Sequence, residues 1–127
     1  MANAGCTLGL ANASYWADEV VLSPSNKYLW ATTRARDNSS KGYISAFSLS
    51  ATGEVSKQLF LIPTTSSGGA ANAITPAFFS DELLALTDSS KGFVEIWKFS
   101  SDTATAKAVA HIDFEETGCC ANAIWYD

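Results

Sequence analysis

The sequence contains few of the residues that metal and nucleic-acid binding require. Its 127 residues include one histidine and eight lysines and arginines, against thirteen carboxylates. His111 has no ligand partners at metal-binding spacing and the chain has no C-x-x-C motif, so we predict no metal site. A net charge of −5 leaves no basic patch for a phosphate backbone, which excludes nucleic acid as a partner.

The sequence also lacks a long apolar run and a secretory leader. No stretch approaches the roughly 20 apolar residues of a membrane helix, and the N-terminus has neither a positive start nor a continuous apolar core. The three cysteines are an odd number and include the adjacent pair Cys119 and Cys120, a weak basis for a disulfide framework. These absences predict a cytoplasmic protein without membrane contact. The paired thiols are either redox-active or small packing side chains, and we favour packing.

The most informative feature present is an internal repeat of about 50 residues. Residues 68–74 read GGAANAI and residues 118–124 read GCCANAI, so that Asn72 and Asn122 are 50 positions apart. Residues 40–44 (SKGYI) and 90–94 (SKGFV) repeat with the same period. Repetition at one period indicates a repeat architecture.

Each repeat contains four short strand patterns separated by turn residues, and no amphipathic helix is evident. The predicted strands are Glu19–Leu22, Tyr28–Thr33, Gly42–Leu49 and Val55–Ile62, then Ala73–Thr75, Leu83–Thr87, Gly92–Phe99 and Ala106–Phe114. Four strands in such a unit are typical of a β-propeller blade. The tryptophans within these patterns are predicted to pack between blades.

The predicted organisation is all-β: about two four-stranded blades plus one extra strand. The blades span about 17–66 and 70–115, the extra strand spans 119–126, and residues 1–14 form an irregular segment. Because propellers typically close with 4–8 blades, two blades do not complete a ring. We therefore expect a fragment, a shortened gene product or a homo-oligomer of partial rings, and expect the chain alone to self-associate.

Several strings resemble the late blades of the seven-bladed lactonase family. They are ADEV at 17–20, LSPS at 22–25, KYLWATTR at 27–34, GYISAF at 42–47, GFVEIWK at 92–98 and CCANAIWYD at 119–127. The resemblance runs from about Tyr15 to Asp127 and implies about the last third of a seven-bladed propeller. Within the family the chain is more similar to lactonising cyclases than to 6-phosphogluconolactonases, which commonly have a histidine where residues 18–20 read DEV.

The resemblance implies an isomerase (intramolecular lyase) of aromatic catabolism, in the β-ketoadipate pathway. Such an enzyme closes a small tricarboxylate diene into a lactone without a metal or organic cofactor. Two alternatives stay open. One is a lactone hydrolase of the 6-phosphogluconolactonase type, and the other is a propeller module that binds a partner without catalysis.

Propeller geometry places the start of each innermost strand and the end of the second strand on one face. Glu19 is therefore expected beside Arg34 and Arg36, Asn72 near Asp88, and Asn122 at the equivalent corner of the next blade. Loops at one end of a rigid scaffold are a usual place for a site.

The implied reaction needs cations for the substrate carboxylates and a proton donor. Arg34 is predicted to be the carboxylate clamp, or alternatively a solvated arginine or an ion pair with Glu19. Glu19 is the candidate proton donor, provided that burial raises its pKa; the alternative is a structural carboxylate that orients Arg34. Asn72, Asn122 and Arg36 are candidate substrate-binding residues, against turn capping for the asparagines and solvation for Arg36.

Overall fold

The computed structural model describes residues 14–67, 72–115 and 120–127. Within these ranges the chain is built from strands and has no helix, so that no helix long and apolar enough to cross a membrane occurs there. The strands are β1 Tyr15–Leu22, β2 Tyr28–Ala35, β3 Lys41–Leu49, β4 Val55–Ser67, β5 Asn72–Pro76, β6 Leu83–Asp88, β7 Phe93–Ser100 and β8 Thr105–Asp113.

The eight strands form two four-stranded antiparallel sheets, each with its strands in chain order. The first sheet is β1-β2-β3-β4 and the second sheet is β5-β6-β7-β8. This confirms the all-β prediction and the two blade-like units. The exact domain bounds, including those of residues 1–14, stay a prediction.

The repeated SKG strings mark the same turn in both sheets, between the second and third strands. Asp37 Oδ1 accepts hydrogen bonds from the backbone N–H groups two and three positions later, at 2.9 and 2.7 Å. Asp88 Oδ1 accepts the equivalent two bonds at 3.0 and 2.9 Å. An aspartate that bonds the backbone two and three residues on is a turn-forming device, so each blade is folded at this corner by the same chemistry.

An aromatic core joins the two sheets face to face. The rings of Trp30 and Phe99 meet edge-on with centroids 5.4 Å apart, and Phe60 lies 5.9 Å from Trp30 and 5.7 Å from Phe99. Trp30 is 1% exposed and Phe99 is fully buried. Since Trp30 and Phe60 belong to the first sheet and Phe99 to the second, burial of these rings holds the blades together.

Polar contacts fix the relative orientation of the sheets. The Ser25 hydroxyl and backbone N–H donate to the Asp81 carboxylate, which connects the turn after β1 with the turn after β5. Because these turns follow β1 and β5, the starts of both strands lie together at the opposite end of the interface. That end contains the predicted site.

The strand that opens the chain differs from the prediction. β1 begins at Tyr15 rather than at Glu19. Its register with β2 shifts between Ala17 and Val20. A bulge there accommodates the extra residue and interrupts the two-residue alternation by which strands are recognised.

The extra strand predicted over 119–126 is not formed in the described residues 120–127. This segment meets the second sheet through single hydrogen bonds rather than a backbone ladder. Trp125 Nε1 donates to the Thr75 carbonyl oxygen at 2.9 Å, and Thr87 Oγ1 donates to the Ala121 carbonyl oxygen at 3.4 Å. The segment therefore lies along the sheet without becoming part of it.

Candidate functional site

The candidate site lies where β1 begins and β2 ends, at the end of the interface between the two sheets. Alternation along β2 places Arg34 on the same face as Thr32 and Trp30, and the Trp30 ring contacts the second sheet. Arg34 therefore lies on the inner face of the first sheet. Trp16 is its direct partner across the β1–β2 pair, so both side chains share this face.

Arg34 is a half-buried cation whose donors are not fully used. Its Cζ lies 5.2 Å from the centroid of the Trp16 ring. Its Nε is buried and has no hydrogen-bond partner among the described residues, and no described carboxylate forms an ion pair with it. Because a guanidinium carries five N–H donors in a fixed fork, Arg34 retains the capacity to bind an anion.

Arg36 lies against the same tryptophan. Its Cζ is 4.8 Å from the Trp16 ring centroid, its side chain is exposed, and its backbone N–H donates to the Ser14 carbonyl oxygen at 2.9 Å. We refer to Trp16, Arg34 and Arg36 as the Arg–Trp–Arg cluster. Trp16 was not predicted from the sequence, because the bulge in β1 obscured the pairing that places it opposite Arg34.

Glu19 points from the bulge in β1 toward the second sheet. Its Oε2 accepts a hydrogen bond from the backbone N–H of Ile74 on β5, and its own backbone N–H donates to Thr32 Oγ1 at 3.3 Å. No ion pair joins Glu19 to Arg34 within the described part of the chain. The carboxylate thus connects the two innermost strands, and the ion pair with Glu19 that was the alternative role of Arg34 is not formed among the described residues.

Asn72 pairs with Asp88 in the β5–β6 register, as predicted from the blade geometry. The side chain of Asn72 lies outside what the structure describes. Asp88 is fully buried on the face that also carries Leu84 and Leu86, both in the core between the sheets. Its Oδ2 has no hydrogen-bond partner among the described residues. Asp88 is thus a buried carboxyl group at the same end as Arg34; the sequence placed it near Asn72 but did not mark it as a site residue.

Asn122 is separated from the Arg–Trp–Arg cluster by the second sheet. Its Oδ1 accepts hydrogen bonds from Thr75 Oγ1 and from the backbone N–H of Ala123, both at 2.8 Å. Thr75 alternates with Ile74, whose side chain lies in the core between the sheets, so Thr75 points to the opposite face. Asn122 therefore ties the C-terminal segment to β5 on the far face, and the structure does not bring it together with Arg34.

A second polar cluster lies on the outer strands and was not predicted as a unit. His111 on β8 lies 2.9 Å from Glu95 Oε1 through Nδ1 and 2.9 Å from Asp113 Oδ1 through Nε2. The buried Glu95 accepts further bonds through Oε2 from Trp97 Nε1 at 2.9 Å and from Thr65 Oγ1 at 2.8 Å. Hydrogen bonding to Glu95, and then to Asp113, raises the pKa of His111 above its ordinary value.

The cysteine prediction needs correction. Cys120 is disulfide-bonded, so it is not the free packing thiol that the sequence led us to expect. The odd cysteine count allowed one pair all along, and only the fold can bring two of three cysteines together. Cys119 lies outside the described residues.

Comparison with known proteins gives these features a biochemical context. No protein-family model matches the chain. The chain is 42% identical over 113 residues to carboxy-cis,cis-muconate cyclase of Neurospora crassa, a match that covers 89% of this chain and 30% of that protein. It is 35% identical over 94 residues to muconate cycloisomerase 1 of Cutaneotrichosporon cutaneum, which covers 69% of this chain and 25% of that protein. The resemblance to lactonising cyclases is thereby confirmed, and the chain spans less than a third of the length of these relatives.

Proposed function

We propose that this chain is part of a lactonising cycloisomerase that converts 3-carboxy-cis,cis-muconate to a carboxymuconolactone. Arg34 is the observation that carries the proposal. It is a cation with unused donors and no carboxylate partner among the described residues. It also belongs to a chain that is 42% identical to a protein named for this cyclisation.

The reaction joins a carboxylate oxygen to a carbon of the diene while the neighbouring carbon receives a proton. One C–O bond and one C–H bond form as one π bond and the O–H bond that supplies the proton are lost, so the substrate is isomerised without oxidation or reduction. Arg34 contributes by holding a substrate carboxylate through its planar fork, which matches a carboxylate in two parallel hydrogen bonds. Its position at the end of two packed sheets gives the fork a fixed direction, which lowers the cost of orienting the substrate.

Asp88 and Glu19 are two carboxyl groups at this end of the interface that could move a proton. Glu19 Oε2 already accepts a backbone N–H, so that oxygen cannot donate a proton while the bond persists. Asp88 Oδ2 is buried without a partner among the described residues, which leaves it open to interact with a ligand. We propose Glu19 primarily as the anchor of β1 on β5.

Assays on the complete protein that carries this chain test the proposal. Incubation with 3-carboxy-cis,cis-muconate is expected to remove the ultraviolet absorbance of the diene, whereas 6-phosphogluconolactone is expected to release no acid. Turnover of the lactone alone would indicate the hydrolase, and turnover of neither substrate would favour a binding module. We expect no activity from the 127-residue chain alone.

Variants of Arg34 connect the assay to the site. Arg34→Gln is expected to lower kcat/KM by roughly 10²–10³-fold, the scale seen when one preorganised donor to a developing charge is removed. Arg34→Lys retains the positive charge but not the fork, so it is expected to recover only part of the activity. Unchanged kinetics in both variants would exclude Arg34 from the site.

We further propose that the enzyme acts in the β-ketoadipate pathway in the cytoplasm. Aromatic catabolism supports this placement, because the proposed substrate is a ring-cleavage product. The disulfide of Cys120 is unusual for a reducing compartment, so the compartment is tested directly by fractionating cells and detecting the complete protein. Recovery in the cytoplasmic fraction is expected, and recovery outside it would contradict the proposed compartment.

A further inference from the structure

The Arg–Trp–Arg cluster brings two arginine side chains to one tryptophan ring. Arg34 is the penultimate residue of β2, and Arg36 directly follows the strand. Both guanidinium carbons lie within about 5 Å of the Trp16 ring centroid, at 5.2 and 4.8 Å. Trp16 itself is 44% exposed. One accessible indole therefore contacts two cations.

The electrostatics of the cluster favour an anionic ligand. Each guanidinium is attracted to the negative face of the indole, so one ring attracts two cations. Arg34 forms no ion pair with a described carboxylate, and its Nε has no hydrogen-bond partner among the described residues. A ligand with two negative groups can contact both guanidinium groups at once.

We propose that Trp16 is a positioning residue that holds Arg34 and Arg36 in place for two carboxylates of one substrate molecule. This inference rests on the proposed function, because it assigns a second carboxylate of the tricarboxylate diene to Arg36. Trp16 acts through the arginines and takes no part in proton transfer. The cluster therefore discriminates polycarboxylates from monocarboxylates, since a single carboxylate needs only one of the two cations.

The indole is better suited to this task than a smaller apolar residue. Tryptophan has the largest aromatic surface of the amino acids and is the strongest cation–π partner. An aliphatic side chain of similar reach would fill part of the space without attracting either guanidinium. The arginines would then adopt other rotamers, and the distance between the two anion sites would no longer be defined.

Binding measurements on the complete protein separate this role from a structural one. Tricarballylate serves as the tricarboxylate probe and butyrate as the monocarboxylate probe, both measured by isothermal titration calorimetry at constant ionic strength. Trp16→Leu is expected to weaken tricarballylate binding by about tenfold, since two exposed cation–π contacts are lost. Butyrate binding is expected to change by less than about twofold, because one cation remains available. Trp16→Phe is expected to restore part of the affinity.

Tyr126→Ala is the matched control, because it removes an aromatic ring that is 94% exposed in the C-terminal segment. It should leave both affinities unchanged. The inference is overturned if wild-type protein does not bind tricarballylate, if Trp16→Leu binds it as wild type does, or if both probes weaken equally. If Trp16→Leu does not fold, Trp16→Phe takes its place. Tricarballylate affinity of Trp16→Phe equal to that of Tyr126→Ala would then show that the indole is dispensable.

Turnover distinguishes failure of this inference from failure of the proposed function. If wild-type protein cyclises 3-carboxy-cis,cis-muconate but Trp16 variants keep their KM and their tricarballylate affinity, only the inference fails. If wild-type protein binds tricarballylate in a Trp16-dependent manner but does not cyclise the diene, the proposed function fails. For an active enzyme we expect Trp16→Leu to raise KM more than it lowers kcat, as suits a residue that positions binding groups.

Discussion

His111 Nδ1 lies 2.9 Å from Oε1 of Glu95, a carboxylate whose side chain is only 3% exposed. The other oxygen of Glu95 accepts a hydrogen bond from Thr65 on β4 of the first sheet. Glu95 therefore links the outermost strand of one blade to the neighbouring blade. The imidazole is part of a contact between sheets rather than an isolated surface group.

The stability that His111 contributes is expected to depend on pH. Hydrogen bonding to Glu95, then to Asp113, raises the pKa of His111 in the folded protein above the unfolded value of about 6.5. The contribution is therefore complete below pH of about 6.5 and is lost as pH rises through the folded pKa. Urea unfolding of wild type and His111→Gln should show a larger difference in unfolding free energy at pH 6 than at pH 9.

A control for this measurement lies on the same strand. Val109→Thr changes an exposed β8 residue without removing a titratable group, so its effect should be the same at both pH values. An equally large His111→Gln effect at pH 6 and pH 9 would show that protonation of the imidazole does not stabilise the fold.

Glu19 is expected to stabilise the junction between β1 and β5 rather than to transfer a proton. Glu19→Gln retains a side-chain oxygen for the Ile74 N–H, so it should change the unfolding free energy by less than about 1 kcal/mol. Glu19→Ala leaves that N–H without its partner and should cost about 1–3 kcal/mol. Both values can be measured by urea unfolding of the complete protein.

Kinetics of the same variant test the alternative role. Glu19→Gln should retain most of the cyclase turnover if the carboxylate is an anchor. A loss of roughly 10²–10⁴ in kcat with unchanged stability would instead identify Glu19 as the proton donor, since that is the usual contribution of general acid catalysis.

The repeated strings in the sequence predicted the blades because they coincide with structural corners. The SKG repeat marks the turns closed by Asp37 and Asp88, and its spacing therefore equals the spacing of the sheets. Trp30 was recognisable as core because it lies in an aromatic, β-branched strand pattern. Local chemistry at each corner was sufficient to predict the fold.

The site was less predictable, because its geometry depends on irregularities and long-range pairing. The bulge between Ala17 and Val20 turns Glu19 toward Ile74 and brings Trp16 opposite Arg34, and strand alternation alone contains neither fact. Asn122 matches Asn72 in sequence but lies on the far face of the second sheet. The sequence repeat therefore predicted equivalent positions for the two asparagines, but it did not predict whether they share one site.

Trp30 is expected to be the residue whose truncation most weakens the contact between sheets. It is 1% exposed and contacts Phe60 and Phe99, so Trp30→Ala should lower the unfolding free energy by about 3–5 kcal/mol. Trp30→Phe should cost clearly less, because the buried indole N–H has no hydrogen-bond partner among the described residues. Equal losses in the two variants, measured by chemical unfolding of the complete protein, would contradict this account.

The outer face of the first sheet is expected to drive self-association of the 127-residue chain. Val20 and Leu22 are 59% and 50% exposed there, and they alternate with residues of the opposite face. They lie across from Ala31 and Leu29 in the β1–β2 register, which belong to an apolar cluster that also contains Phe47. An open apolar sheet face of this kind favours association. Light scattering should therefore give a mass well above the 13.5 kDa of one chain.

Replacing these two exposed apolar residues tests the cause. Val20→Thr combined with Leu22→Thr places a β-branched threonine, which suits a strand, at both positions of β1 and should shift the chain toward the monomer. Val109→Thr is the matched control, because Val109 is similarly exposed at 49% but lies on β8 of the second sheet. It should leave the mass unchanged. A stable compact monomer of the unmodified chain would contradict this prediction. It would show that the two blades are stable with this face exposed to solvent.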